Sequence, residues 1–245
     1  MVKTSWGQKI LITYAVELLV AYVSEYSFVL YNPRADICHI MMNSLNNVFI
    51  CLIINPLFLI VLTYAKDDTL YRYVDLIRRK NVTEYAISRI MPRLVWPVLV
   101  VIEYAIASVM VSYYFIPANE ILFSGELDGD LIDIIICQII NEIILMVAVH
   151  IFREVAGCLI SSRKIAVLCT IAVIFFDFVA TKLHWDAITA WTPWGHVRYL
   201  NGGQATPDYR VYLGYWMLIA LILALLVHML RYKRSFLSVT SKRFV

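Results

Sequence analysis

Gln138, Asn141 and Glu142 stand at i, i+3 and i+4 within an apolar run, which puts two amides and a carboxylate on one face of a helix. Such a face does not sit comfortably against lipid. It either lines a pathway or hydrogen-bonds to another helix, in this chain or in a second copy. Glu17, Glu103 and Asp177 interrupt three further apolar runs. A charge at the bilayer centre costs on the order of 2.5–3.5 kcal/mol, so four such groups facing lipid as anions would cost roughly 10 kcal/mol. They are therefore expected to face the interior of a helix bundle, to pair with partners, or to be neutral.

Other chemistries lack their residues. His39, His150, His184, His196 and His228 are scattered and form no HExxH pair, so a zinc protease site has no support. There is no GxSxG elbow and no GxxxxGK phosphate loop, so nucleotide is not bound in that way. Cys38, Cys51, Cys137, Cys158 and Cys169 form no CxxC pair and read as packing residues rather than metal ligands. Glu142 and His150 lie eight residues apart, about 80° around a helix. That separation disfavours an intramembrane enzyme built on the two.

The elements that must hold these residues are membrane spans. The 245 residues are 61% hydrophobic with a mean hydropathy of +0.74, and 16% are charged, against about a quarter in soluble domains. Six spans are placed at about Ile10–Tyr31, Met41–Ala65, Leu94–Ile116, Leu131–Phe152, Ile165–Thr181 and Val211–Leu230. They make one all-α domain over 1–245. Glu17 interrupts the first run and no small-residue cleavage site follows, so it reads as an uncleaved span. The N-terminal residues, Lys66–Arg93, the loop with Arg153, Arg163 and Lys164, and the C-terminal tail carry 17 of the 21 Lys and Arg. Arg34, Lys182, Arg198 and Arg210 are left for the opposite side. This asymmetry predicts cytoplasmic termini and an even number of spans.

Lys66–Arg93 is too long for a simple connector. Leu70, Val74 and Ile77 recur at helical spacing while Arg72, Asp75 and Arg79 point elsewhere. Asn81 with Glu84 makes a capping-box-like pair, and Pro92 marks the turn into the next span. The expectation is a bent helical elbow on the cytoplasmic surface, against a basic loop that only fixes topology. On the other side, Lys182–Arg210 gathers Trp185, Trp191 and Trp194 around Pro193. Within it, His184–Leu200 is expected to dip into the outer interface as one or two short re-entrant or interfacial helices, against an ordinary aromatic belt.

This layout resembles the membrane-spanning permease subunits of type-2 ABC exporters. The resemblance covers nearly the whole chain and rests on organisation: the elbow with Arg78, Arg79, Lys80, Asn81, Glu84, Tyr85 and Arg89, and the outer segment with Trp191, Pro193 and Trp194. The resemblance implies that the chain is no enzyme and binds no cofactor itself. ATP and Mg would be used by partner ABC ATPase subunits docked on the elbow, with a second permease copy or a related permease completing a dimer. Glu17, Glu103, Gln138, Asn141, Glu142 and Asp177 would line the substrate pathway or dimer seam, and Trp191, Pro193 and Trp194 an outer gate. Membrane lipids are the other partners, and nucleic acid is not one. The family role implied is export of a peptide, lipid-linked or amphiphilic compound across a bacterial cytoplasmic membrane, including bacteriocin export or self-protection. The alternative is a stand-alone immunity or peptide-binding membrane protein without ATP coupling.

Overall fold

A computed structural model describes residues 6–33, 35, 37–63, 93–115, 129–160, 163–185, 187, 200–201, 204–205 and 219. Its first helix, α1 (Trp6–Tyr31), has its polarity reversed relative to a soluble helix. Thr13, Glu17, Ala21 and Glu25 recur every four residues and are all buried, whereas Leu19 and Val23 are 63% and 57% exposed. In water that arrangement would expose the apolar face and hide the charged one. In lipid it satisfies both. The chain is a helical membrane protein.

Among the described residues four helices are long and apolar enough to cross a bilayer, and a bent pair, His39–Leu45 with Ile50–Thr63, makes a fifth crossing if counted as one span. In chain order the helices after α1 are α2 (Ile37–Leu45), a π-helical turn (Ile50–Ile54), α3 (Asn55–Thr63), α4 (Val95–Phe115), α5 (Gly129–Ile160) and α6 (Arg163–Lys182). The end of the bundle where α3 stops and α4 starts is called here the lower end.

The second span is not the continuous helix expected from its hydropathy. Asn47 stops α2 and restarts the chain: its Oδ1 accepts the Phe49 backbone N–H at 3.0 Å, as an N-cap does. The Cys51 thiol donates to the Leu45 carbonyl at 3.1 Å, satisfying an acceptor that the end of α2 leaves open. Pro56 has no N–H to give and its ring crowds the carbonyl four residues back. The Asn55 N–H bonds the Ile50 carbonyl instead, closing the wider π turn. The two halves meet at 41°.

Two cores stack along the bundle, and they divide at this break. The upper core joins Ala21, Met42, Leu45 and Ile50 to Tyr104, Ala105, Ala107, Val111 and Ile135. The lower core joins Cys51, Leu52, Leu59 and Leu62 to Val100, Val101, Leu145, Met146 and Ile174. Small residues on α4, among them Ala105, Ala107, Ser108 and Ser112, are buried and allow close helix approach.

One further expectation is corrected. α5 runs on to Ile160 and α6 starts at Arg163, so Arg153 lies inside a helix and is buried, not in a basic loop. Its partners, described below, make that burial tolerable. Within Lys182–Arg210 the described residues include an antiparallel pair, Leu200 opposite Ala205 and Asn201 opposite Gln204, that the aromatic pattern did not announce. α6 ends in a Schellman closure: the Trp185 N–H bonds Ala180 and the His184 N–H bonds Thr181, with His184 at φ 54 where glycine is usual. The elbow up to Pro92 and the outer helices around Trp191, Pro193 and Trp194 lie outside the described residues. So does the sixth span, save Ile219, which packs on the lower core.

Candidate functional site

The polar face of α1 meets α4 first through Glu25. Ser108 and Ser112, one turn apart on α4, donate to its two carboxylate oxygens at 2.6 and 2.8 Å. The hydroxyls of Ser44 on α2 and Tyr104 on α4 are 2.6 Å apart, and Ser44 also reaches Glu25. Asn47 Nδ2 donates to Ser24 Oγ at 3.2 Å. Hydrogen bonds thus tie α1, α2 and α4 together above the break.

Two turns further down α1, Glu17 is fully buried and neither carboxylate oxygen has a hydrogen-bond partner among the described residues. It lies within electrostatic reach of Glu103 on α4 and Glu142 on α5. Glu103 lies beside Thr13, whose hydroxyl donates to the Lys9 and Ile10 carbonyls within α1. Glu142 takes one from Asn55 Nδ2 through Oε1, while its Oε2 and the Asn55 Oδ1 stay unpaired among the described residues. Three carboxylates from three helices therefore converge beside the first residue of α3, just below the break.

The lower end holds a cluster built around Arg153. Its Nη1 donates to the Thr63 hydroxyl at the last residue of α3, and its Nη2 lies 3.2 Å from His150 Nδ1 and 3.4 Å from Glu154 Oε1. The same Glu154 oxygen accepts Arg93 Nη1 at 3.4 Å. Side chains of Arg153 and Glu154 are 8% and 13% exposed, so this pair is largely shielded from solvent.

Among the residues singled out from sequence, Gln138, Asn141 and Glu142 are all buried, as one helix face turned inward requires. Glu17, Glu103 and Glu142 come together. Asp177 is buried on α6, where its backbone carbonyl accepts the Thr181 hydroxyl at 2.9 Å. Arg78, Arg79, Asn81, Glu84, Tyr85, Arg89, Trp191, Pro193 and Trp194 lie outside the described residues. Sequence reading missed Glu25, although it falls eight residues after Glu17 on the same face. It also missed Asn55, Thr63 and Arg153 as partners across helices. Among the described residues no group of His, Cys, Asp and Glu is arranged to hold a metal ion. No family model, curated protein or solved structure matches the chain.

Proposed function

We propose that the chain is the membrane-spanning permease of an exporter driven by an ATPase on a separate chain. One observation carries the transport half of the reading. The second span is broken around Asn47 and resumes through a π turn at the division between the two cores, and the first residue past that turn, Asn55, bonds the buried Glu142. Irregular backbone at membrane depth is tolerated only where protein buries it or where it lines a cavity. Discontinuous spans beside buried polar groups are how many transporters build a site that rearranges.

The ATPase half rests on the sequence of the elbow, with the basic asymmetry that places both termini and Lys66–Arg93 in the cytoplasm. A six-span bundle of this kind has no nucleotide-binding loop of its own, so hydrolysis belongs to a partner. The transported class is a peptide or amphiphile, and the site of action a bacterial cytoplasmic membrane. The test is to purify the tagged chain from its native membrane in mild detergent, identify an ABC ATPase in the preparation, and measure ATP-dependent export after reconstitution. Retention of an ATPase and ATP-dependent flux are expected. A chain that confers protection or binds peptide at full strength without any ATPase refutes this reading in favour of a stand-alone immunity protein.

A further inference from the structure

We infer that Arg153 and Glu154 are positioning residues of a latch that fastens the lower ends of the second and third spans to α5. The inference rests on the transport reading and specifies where movement of a docked ATPase enters the bundle. Chain connectivity makes the point of entry definite. Residues 64–92, which contain the elbow sequence, connect Thr63 at the end of α3 to Arg93 just before α4. Thr63 is bonded to Arg153 and Arg93 to its neighbour Glu154, and those two residues of α5 are paired with each other.

The geometry is that of a fork. One guanidinium nitrogen of Arg153 holds Thr63, and the other faces both His150 and Glu154. The Thr63 hydroxyl in turn donates to the Leu59 carbonyl within α3, so the last turn of that helix is held through its own backbone. Glu154 Oε1 accepts from Arg153 and from Arg93, each at 3.4 Å, and this brings the start of α4 into the same knot.

A second rung makes the latch a lever. Arg153 lies eleven residues after Glu142 on α5, which is three turns, about 20° of rotation and about 16 Å along the axis. On the neighbouring helix Thr63 lies eight residues after Asn55, about 12 Å along it. Asn55–Glu142 and Thr63–Arg153 are therefore two polar rungs between α3 and α5. Two rungs fix both slide and rotation, which one cannot. A displacement delivered at Thr63 or Arg93 moves α3 and α5 as a pair and reaches Glu142 and the break above it.

The contacts predict an asymmetry between the two arginines. Arg93 engages the cluster through one nitrogen and one acceptor, which a lysine ammonium can reproduce. Arg153 serves three acceptors through two nitrogens of a planar fork, which lysine cannot. The experiment compares Arg93→Lys, Arg153→Lys and Glu154→Gln with wild type. It measures ATPase retention, basal hydrolysis and molecules exported per ATP in proteoliposomes, together with a thermal double-mutant cycle of Arg93→Gln and Glu154→Gln on the purified chain. Expected results are a roughly tenfold fall in export per ATP for Arg153→Lys and Glu154→Gln with the ATPase retained. Arg93→Lys should stay within about twofold of wild type, and the cycle should be non-additive. Equal coupling in all three variants, or an additive cycle, overturns the latch. Loss of the ATPase from wild type itself overturns the transport reading, and with it the relay. The cycle still reads the contact in that case.

Discussion

The Asn55–Glu142 contact is where stability and transport separate most cleanly. Asn55→Ala removes the donor. A hydrogen bond to a charged group contributes about 1.5–3 kcal/mol in soluble proteins. Interhelical polar contacts in bilayers average about 0.6 and reach about 1.7 kcal/mol, because a chain unfolded in the membrane still finds partners. Both residues are fully buried and the contact is direct, so the upper part of the membrane range applies: about 1.5 kcal/mol, roughly tenfold in the folding equilibrium. Glu142→Leu costs more, since it leaves the buried Asn55 amide with no partner at all, a further penalty of about 1–3 kcal/mol. Glu142→Gln keeps an acceptor for Asn55 and replaces the ionisable group facing Glu17 with a neutral amide, so stability should stay within about 0.5 kcal/mol. The assay is thermal unfolding in detergent with a thiol-reactive dye, for which buried Cys51 is a natural reporter. Non-additivity of Asn55→Ala and Glu142→Leu by about 0.6–1.7 kcal/mol is expected. An additive cycle, or a Leu variant as stable as wild type, refutes the reasoning. Export by a stable Gln variant then decides whether the charge itself is used: a loss assigns it to transport, and wild-type flux leaves the face as helix-packing glue.

In sealed cells a membrane-impermeant maleimide should modify Cys38 and spare Cys158 until the membrane is opened; the reverse order inverts the topology drawn from the basic residues. Asn81→Ala, Arg79→Glu and Arg89→Glu should leave the chain inserted while weakening ATPase retention or coupling, the Ala change through loss of an N-cap contribution of about 0.5–2 kcal/mol. Full coupled turnover in all three reduces Lys66–Arg93 to a topological anchor. Glu17→Ala removes a buried carboxyl group that has no hydrogen-bond partner among the described residues and should raise the melting temperature, whereas Glu25→Ala leaves two serines to re-pair and should cost about 1–2 kcal/mol. The opposite ranking shows that Glu17 is the structural acid of the two.

Most of the helices were legible because a bilayer sets their length. The apolar runs about Leu94–Ile116 and Ile165–Thr181 return as Val95–Phe115 and Arg163–Lys182. The break in the second span was not, because Asn46-Asn47 and Asn55-Pro56 are short interruptions that an averaged hydropathy absorbs. Arg153 reads as the end of a span since a lone arginine ordinarily marks the interface. It stays inside the helix because Thr63, His150 and Glu154, distant in sequence or on the same helix, supply its partners. Glu25 sits among Ser24, Tyr26 and Ser27 and looks like the polar margin of a span. Its periodicity with Thr13, Glu17 and Ala21 was the available signal, and the serines that hold it come from a helix more than eighty residues away.

The buried acids are satisfied to three different degrees, and the gradation sorts their roles. Glu25 has a serine for each oxygen, the arrangement of an acid that ties helices together. Glu142 has one oxygen held by Asn55 and one unpaired, and Glu17 has both unpaired among the described residues. Ala21, midway between Glu17 and Glu25 on the same face and fully buried, proves that this surface of α1 packs against the bundle with a methyl group alone. Packing therefore does not call for a carboxylate at Glu17. A partly satisfied polar group is worse for stability than an apolar one of similar size, and such violations in a natural chain concentrate at working sites. The violation here lies level with the break, between the hydrogen-bonded α1–α2–α4 group above and the α3–α5 pair below. Two carboxyl groups, Glu17 and Glu142, face one another across that boundary, with no hydrogen bond between them among the described residues. A cycle that moved α3 and α5 together, as the proposed transport requires, would part these two acids.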